Sequence, residues 1–182
     1  LKNVEYIQFA DQKVDVSKLD VVKTYTGDSK DFKFFKREDG TIEVKTEDGF
    51  DDITGVPKLE FNDKSFSGIS DIKETFDQVK SKDDATGQMF RVYNAAFARF
   101  PDSDGLEYWI DKNQSGANSN RQVAESFLAS DEFKATYGDD VDTGTYVNNL
   151  YENILGREAD QEGYEYWVQQ LDSGQENRGE LL

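Results

Sequence analysis

Two short acidic stretches hold the side chains best suited to chemistry. Asp102-Ser-Asp104-Gly105-Leu-Glu107 and Asp160-Gln-Glu162-Gly163-Tyr-Glu165 each bring three carboxylates close together in sequence. Clustered carboxylates are ligands for hard divalent cations, so Asp102, Asp104, Asp160 and Glu162 are the candidate calcium ligands. The spacing is not that of an EF-hand: with Gly105 at the sixth loop position, Phe100 falls where the first ligand belongs. The same residues also have a reading that needs no metal. An Asp just before a helix caps it, and an acid in the first turn meets the positive end of the helix dipole. The cap reading is taken as the leading one, and calcium as the one cofactor the acidic turns admit. Asp139-Asp140-Val141-Asp142 is a third acidic cluster and reads as a solvated loop capped at Asp142 or Thr143.

Other chemistries are excluded by composition. The chain has no histidine and no cysteine, which removes imidazole and thiolate from both catalysis and metal binding. There is no phosphate-binding glycine loop, dinucleotide fingerprint or triad arrangement. Paired carboxylates remain, but 38 acidic residues bring some pairs together by chance. No catalytic residue is assigned, and the chain is read as not an enzyme. The net charge of −17 repels phosphate backbones and anionic lipid, so no nucleic-acid partner is expected. No apolar run reaches the roughly 20 residues of a membrane helix, and no membrane insertion is expected. Leu1-Lys-Asn-Val4 looks like mid-domain sequence and Glu180-Leu-Leu182 like the first turn of a helix. A piece cut from a longer protein at both ends is expected.

Helices must position the acidic stretches, and those helices are repeated. Seven residues coincide in register between 93–109 and 151–167: Tyr, Arg, Asp, Gly, Glu, Tyr and Trp. Ser115-Gly116 and Ser173-Gly174 continue the match without a gap. Such self-similarity marks a repeat, here about 88–138 and about 146–182, the second truncated. Asp102 and Asp160 read as N-caps, and Gly116 and Gly174 as the glycines just past the helix ends. Ser119 and Gln122 have capping-box spacing, and Val123, Phe127 and Leu128 face a core. A last helix, Asp131 to Tyr137, stops at Gly138. Arg99, Gly105, Trp109, Arg157, Gly163 and Trp167 are the structural residues of the motif. Both tryptophans lie on apolar stripes and are expected in the core, whereas Tyr108 and Tyr166 are candidates for ligand or partner contact.

Upstream the period changes. Residues 1–68 read as a β-rich segment and 69–182 as the helical repeat domain, an α+β chain with an antiparallel β segment leading into a bundle of short helices. Val4-Glu-Tyr-Ile7-Gln-Phe9-Ala-Asp11 returns as Val56-Pro-Lys-Leu59-Glu-Phe61-Asn-Asp63, each copy a strand, a turn at the Asp, and a second strand. Phe32-Lys-Phe34 and Ile42-Glu-Val44 alternate as half-buried strands around a hairpin signal at Glu38-Asp39-Gly40. Ile69, Ile72, Phe76 and Val79 then fall at helical spacing, with Ser70 as the expected N-cap.

Two resemblances follow from these residues. Val4-Glu-x-Ile7-Gln-Phe9-Ala-Asp11 and Thr54-Gly55-Val56-x-x-Leu59-x-Phe61-x-Asp63 resemble the β-rich region flanking calcium-binding nonapeptide (RTX, haemolysin-type) repeats. Pro57 departs from that pattern, and the glycine-rich nonapeptides themselves are absent. Arg99-x-x-Asp102-x-x-Gly105-x-x-Tyr108-Trp109, its second copy, and Phe127-Leu-Ala-Ser130-Asp-Glu-Phe133 resemble a bacterial helical repeat family of unassigned function. Ala98 stands where that family has Gly. The family occurs in secreted S-layer-like proteins, adhesins and haemolysin-type proteins. The resemblance implies an extracellular, cell-surface, type I-secreted location, and other protein subunits or cell-surface components as partners, with oligomerisation open. The expected function is a non-catalytic module for assembly or adhesion. A calcium-dependent, glycan-type binding domain and an accessory spacer of a secreted hydrolase stand as alternatives.

Overall fold

The structure is a computed structural model. It describes residues 20–182 in full and the strand backbones at 6–8 and 13–15. The chain forms two compact units, Leu1–Gln78 and Val79–Leu182.

The first unit contains eight described strands: β1 Tyr6–Gln8, β2 Lys13–Asp15, β3 Val22–Thr24, β4 Lys33–Lys36, β5 Ile42–Thr46, β6 Gly49–Asp52, β7 Lys58–Glu60 and β8 Ser65–Phe66. They form an antiparallel β1–β2 pair, a β4–β5–β6 meander and a β3–β7–β8 sheet. The two sequence copies fold alike: β1 pairs β2 with Ile7 opposite Val14, and β7 pairs β8 with Leu59 opposite Phe66. The turn expected at Asp11 lies outside the described residues. The turn at Asp63 is present, but its carboxylate does not act as expected on its own backbone alone. It accepts from the Ser29 amide at 2.6 Å and the Ser29 hydroxyl at 2.8 Å, pinning a distant turn of Ser29–Asp31. One pairing departs from the antiparallel pattern, since β3 runs parallel to β7.

Alternation places the core. Phe34, Ile42, Val44 and Leu59 are buried, while Lys33, Lys36 and Lys45 point outward. Phe61 sits at the centre of an aromatic cluster, stacked on Tyr25 at 5.2 Å and edge-on to Phe34 and Phe66. Such pairs add about 1 kcal/mol each beyond area burial. The β4–β5 hairpin turns at Gly40, and Asp39 accepts from the Thr41 amide at 2.9 Å. The helix after β8 belongs to this unit, beyond the expected boundary at residue 68. It opens with wide π-helical turns over Gly68–Lys73 and continues as α1, Glu74–Gln78, with Ile72 fully buried. Its N-cap is Ser67, not Ser70: the Ser67 hydroxyl accepts from the Ile69 and Ser70 amides. The helix begins earlier because Gly68 and Ile69 already adopt its turns.

The second unit is helical: α2 Ala85–Phe97, α3 Ser103–Gln114, α4 Asn120–Leu128, α5 Asp131–Tyr137, α6 Thr143–Leu150, α7 Gln161–Asp172 and α8 Arg178–Leu181, with π-helical turns over Tyr151–Leu155 after α6. Repeat one is α2 to α5, and repeat two is α6 to α8. Asp84, Ser119, Ser130, Asp142 and Asn177 all cap their helices through side-chain oxygens. The capping box expected at Ser119 and Gln122 is present, and its counterpart forms at Asn177 and Glu180. The core gathers Met89, Tyr93, Ala96, Phe97, Leu106, Ile110, Val123, Phe127, Phe133 and Tyr146. Leu106 and Val123 are sealed from water, each worth about 2 kcal/mol by burial alone.

Candidate interaction surface of the helical repeat

The motif forms the joint between the first and second helices of each repeat. In repeat one, α2 ends at Phe97 and the chain turns through Ala98 with left-handed backbone, φ 50°. Arg99 then folds back with its guanidinium 5.4 Å from the Tyr93 ring centroid. It donates to Asp102 at 2.9 Å and to Glu132 of α5 at 2.5 and 3.1 Å. The Tyr93 hydroxyl donates to the same Asp102 oxygen at 3.1 Å. A Cβ on Gly105 would stand 3.0 Å from that hydroxyl, so glycine leaves room for the phenol to reach Asp102. Tyr93, Arg99, Asp102 and Gly105 thus form one clasp that fixes α2 against the start of α3.

Repeat two builds the same joint. Gly156 takes the left-handed turn at φ 64°, and Arg157 lies 5.1 Å from the Tyr151 ring centroid and 3.2 Å from Asp160. A Cβ on Gly163 would meet the Tyr151 hydroxyl at 2.4 Å. The two aspartates differ in detail. Asp160 caps its helix as expected, accepting from the Gly163 amide at 2.9 Å. Asp102 occupies the N-cap position but makes no side-chain cap bond, a correction to the expected role. Its carboxylate is drawn instead to Arg99 and Tyr93.

Electrostatics follow the geometry. The Gly163 amide and then Arg157 hold the Asp160 carboxyl below the usual carboxylate range. Burial pushes the Tyr93 phenol up to about 12, although nearby Arg99 works against the shift. Partial burial opposes the charge on Arg99, but its bonds to Glu132 and the neighbouring Tyr93 and Asp102 outweigh it and raise its pKa.

The candidate calcium ligands Asp102 and Asp104 lie at the start of α3, and Asp160 and Glu162 at the start of α7. Asp102 and Asp160 are engaged by arginines, while Asp104 and Glu162 stand exposed in the first turns of α3 and α7. Among the described residues no group of three or more carboxylates is placed to hold a metal ion. The third acidic run is accounted for by Asp142, which caps α6 through the Thr145 amide at 3.0 Å.

The tyrosines before the tryptophans have the opposite character. Tyr108 and Tyr166 are each 53% exposed, at the same position of the two repeats. Each meets its tryptophan edge-on at 5.0 Å. Trp109 packs against Phe127 at 5.1 Å, close to the expected core role. Trp167 is only half-buried and lines an apolar groove with Tyr151, Ile154, Leu155 and Leu181. The sequence pattern did not expose this groove. Val147, Leu150, Tyr151, Ile154 and Leu155 fall at helical spacing, a stripe that implies burial, yet Ile154 and Leu155 in the turns after α6 remain 47% and 56% exposed.

Residues 124–182 match the family described as a domain of unknown function, DUF4214. The match takes in the second copy of the motif, with α5 and α6 before it. No curated protein and no solved structure matches the chain. Among the described residues, no helix is long and apolar enough to cross a membrane.

Proposed function

We propose that this chain is a non-catalytic structural and interaction module of a large secreted, cell-surface protein, serving assembly or adhesion. One observation carries the reading. The polar groups of the repeated motif are engaged with one another and with helix starts, while the tyrosine at one position of both repeats is left on the surface. A motif arranged this way holds a scaffold and presents a side chain. Repeated helical units offer extended surfaces of this kind. The acidic surface disfavours nucleic acid and suits a salt-rich exterior. The likeness to regions flanking RTX repeats and to S-layer and adhesin repeats supports an extracellular, type I-secreted setting.

A second reading has its own observation. An exposed tyrosine set edge-on to a half-buried tryptophan is a platform on which a sugar ring stacks, which favours a glycan-binding domain, calcium-dependent if a cation is recruited.

Sedimentation velocity and binding to isolated bacterial envelope fragments test the proposal together. It predicts self-association or saturable envelope binding. Tyr108→Ser with Tyr166→Ser should weaken that association about tenfold without altering the fold. No association of either kind, or a double variant that associates unchanged, refutes it.

A further inference from the structure

The groove of repeat two has a counterpart in repeat one that is already filled. Tyr93, Phe97 and Trp109 stand at the positions of Tyr151, Leu155 and Trp167 and are covered by α4 and α5. Phe127 enters against Tyr93 at 5.2 Å, Phe97 at 4.9 Å and Trp109 at 5.1 Å, and Phe133 is buried beside it. In repeat two, α8 begins with the same capping box as α4, and Leu181 reaches the groove where Val123 is sealed in the core. Beyond Leu181 the groove is open, about 170 Å³ lined almost wholly by apolar side chains.

The arginines give an independent sign of the same occupant. Arg99 is 19% exposed and holds Glu132, the residue before Phe133. Arg157 is 53% exposed and holds Asp160, with its outer edge in solvent. The groove therefore offers an apolar seat and a cation in the relative positions that α4 and α5 satisfy in repeat one.

We propose that this groove is a docking site for one more helical segment of the α4–α5 type, entering in line with α8. The occupant presents an aromatic residue at the place of Phe127 and a Glu-Phe pair at that of Glu132 and Phe133. It buries Tyr151, Ile154, Leu155 and Trp167 and pairs its glutamate with Arg157. The docking site follows from the internal repeat and is independent of the proposed cellular role.

The test appends a copy of residues 125–138 to the full chain after Leu182, alongside a control whose appended phenylalanines are serine. Thermal unfolding is followed in both. Tryptophan emission is read in the Trp109→Phe background, which leaves Trp167 as the only reporter. The proposal expects the extended protein to melt about 4 °C or more above the control, with Trp167 emission moved to shorter wavelength. Arg157→Ala should reduce that gain in the extended protein and barely alter the unextended one. If Trp109→Phe proves poorly folded, the melting comparison in the parent background decides alone. Equal melting and equal emission in extension and control overturn the proposal. So does a concentration-dependent burial of Trp167 in the unextended chain with dimer sedimentation, because a second copy would then be the occupant.

Discussion

Ala98 and Gly156 hold the same left-handed backbone, at φ 50° and ψ 31° in one repeat and φ 64° and ψ 27° in the other. Ala98 is the only residue other than glycine with positive φ among those described. A Cβ in this region crowds the neighbouring carbonyl, at a cost of about 1–2 kcal/mol that glycine avoids. Glycine returns part of this through its freer unfolded chain. Ala98→Gly should therefore stabilise the protein by about 1 kcal/mol in urea unfolding, and Gly156→Ala should destabilise it by a similar amount. A loss of stability in Ala98→Gly would mean that the turn is held by packing of the alanine methyl.

Gly105 and Tyr93 should prove energetically coupled. A methyl on Gly105 favours the helix by about 1 kcal/mol but meets a hydroxyl held by Asp102 and Arg99. Gly105→Ala is expected to be destabilising in the parent protein. In Tyr93→Phe, where the obstructing oxygen is gone, the same change should be neutral or stabilising. The double-mutant cycle should give an interaction of about 1 kcal/mol. Additive effects would show that the hydroxyl moves aside freely.

The two arginines should differ in weight. Arg99 is mostly buried and binds two carboxylates, whereas Arg157 is half in water. Arg99→Ala removes a mostly buried side chain that packs on Tyr93 and binds two half-exposed carboxylates, and should cost about 1–2 kcal/mol. Arg157→Ala removes an exposed pair and should cost less than about 1 kcal/mol. Equal costs in chemical denaturation would contradict the assignment of Arg99 as the centre of the clasp.

Much of this was legible in the sequence. The repeat, the helix start at Asp160, the start at Asp142 or Thr143, the capping box at Ser119 and the glycine stops at 116, 138 and 174 depend on local chemistry, which spacing reveals. The hairpin at Asp39-Gly40 was legible for the same reason. What escaped was set by partners distant in sequence. Asp102 gives up its cap bond for Arg99 and Tyr93, Asp63 reaches Ser29, and β3 pairs in parallel with β7 across a long connection. The exposure of Ile154, Leu155 and Trp167 escaped as well, because an apolar stripe records the need for a cover and not its presence.

Alkaline pH should unfold the protein through its tyrosines. Burial raises the phenols of Tyr25, Tyr137 and Tyr146 and pushes Tyr93 up to about 12; a bond to Asp51 adds to the effect at Tyr25. In the unfolded chain these groups lose their protons near pH 10. The folded state keeps them longer, so stability is unaffected below about pH 10 and falls as pH rises toward 12. Phenolate absorbance from these buried tyrosines should appear together with loss of helical circular dichroism. Reversible phenolate formation at Tyr25, Tyr93, Tyr137 and Tyr146 near pH 10 with the helices intact would contradict this burial.

We propose that Asp102 and Asp160 serve the arginine clasp and, at Asp160, the helix start, in place of a metal. Thermal unfolding by circular dichroism in EDTA, in millimolar calcium and in millimolar magnesium tests it most directly. The account predicts the same midpoint in calcium as in magnesium. A calcium-specific rise of several degrees, abolished by Asp102→Asn or Asp160→Asn, would reveal a native-state site by binding linkage and contradict the account.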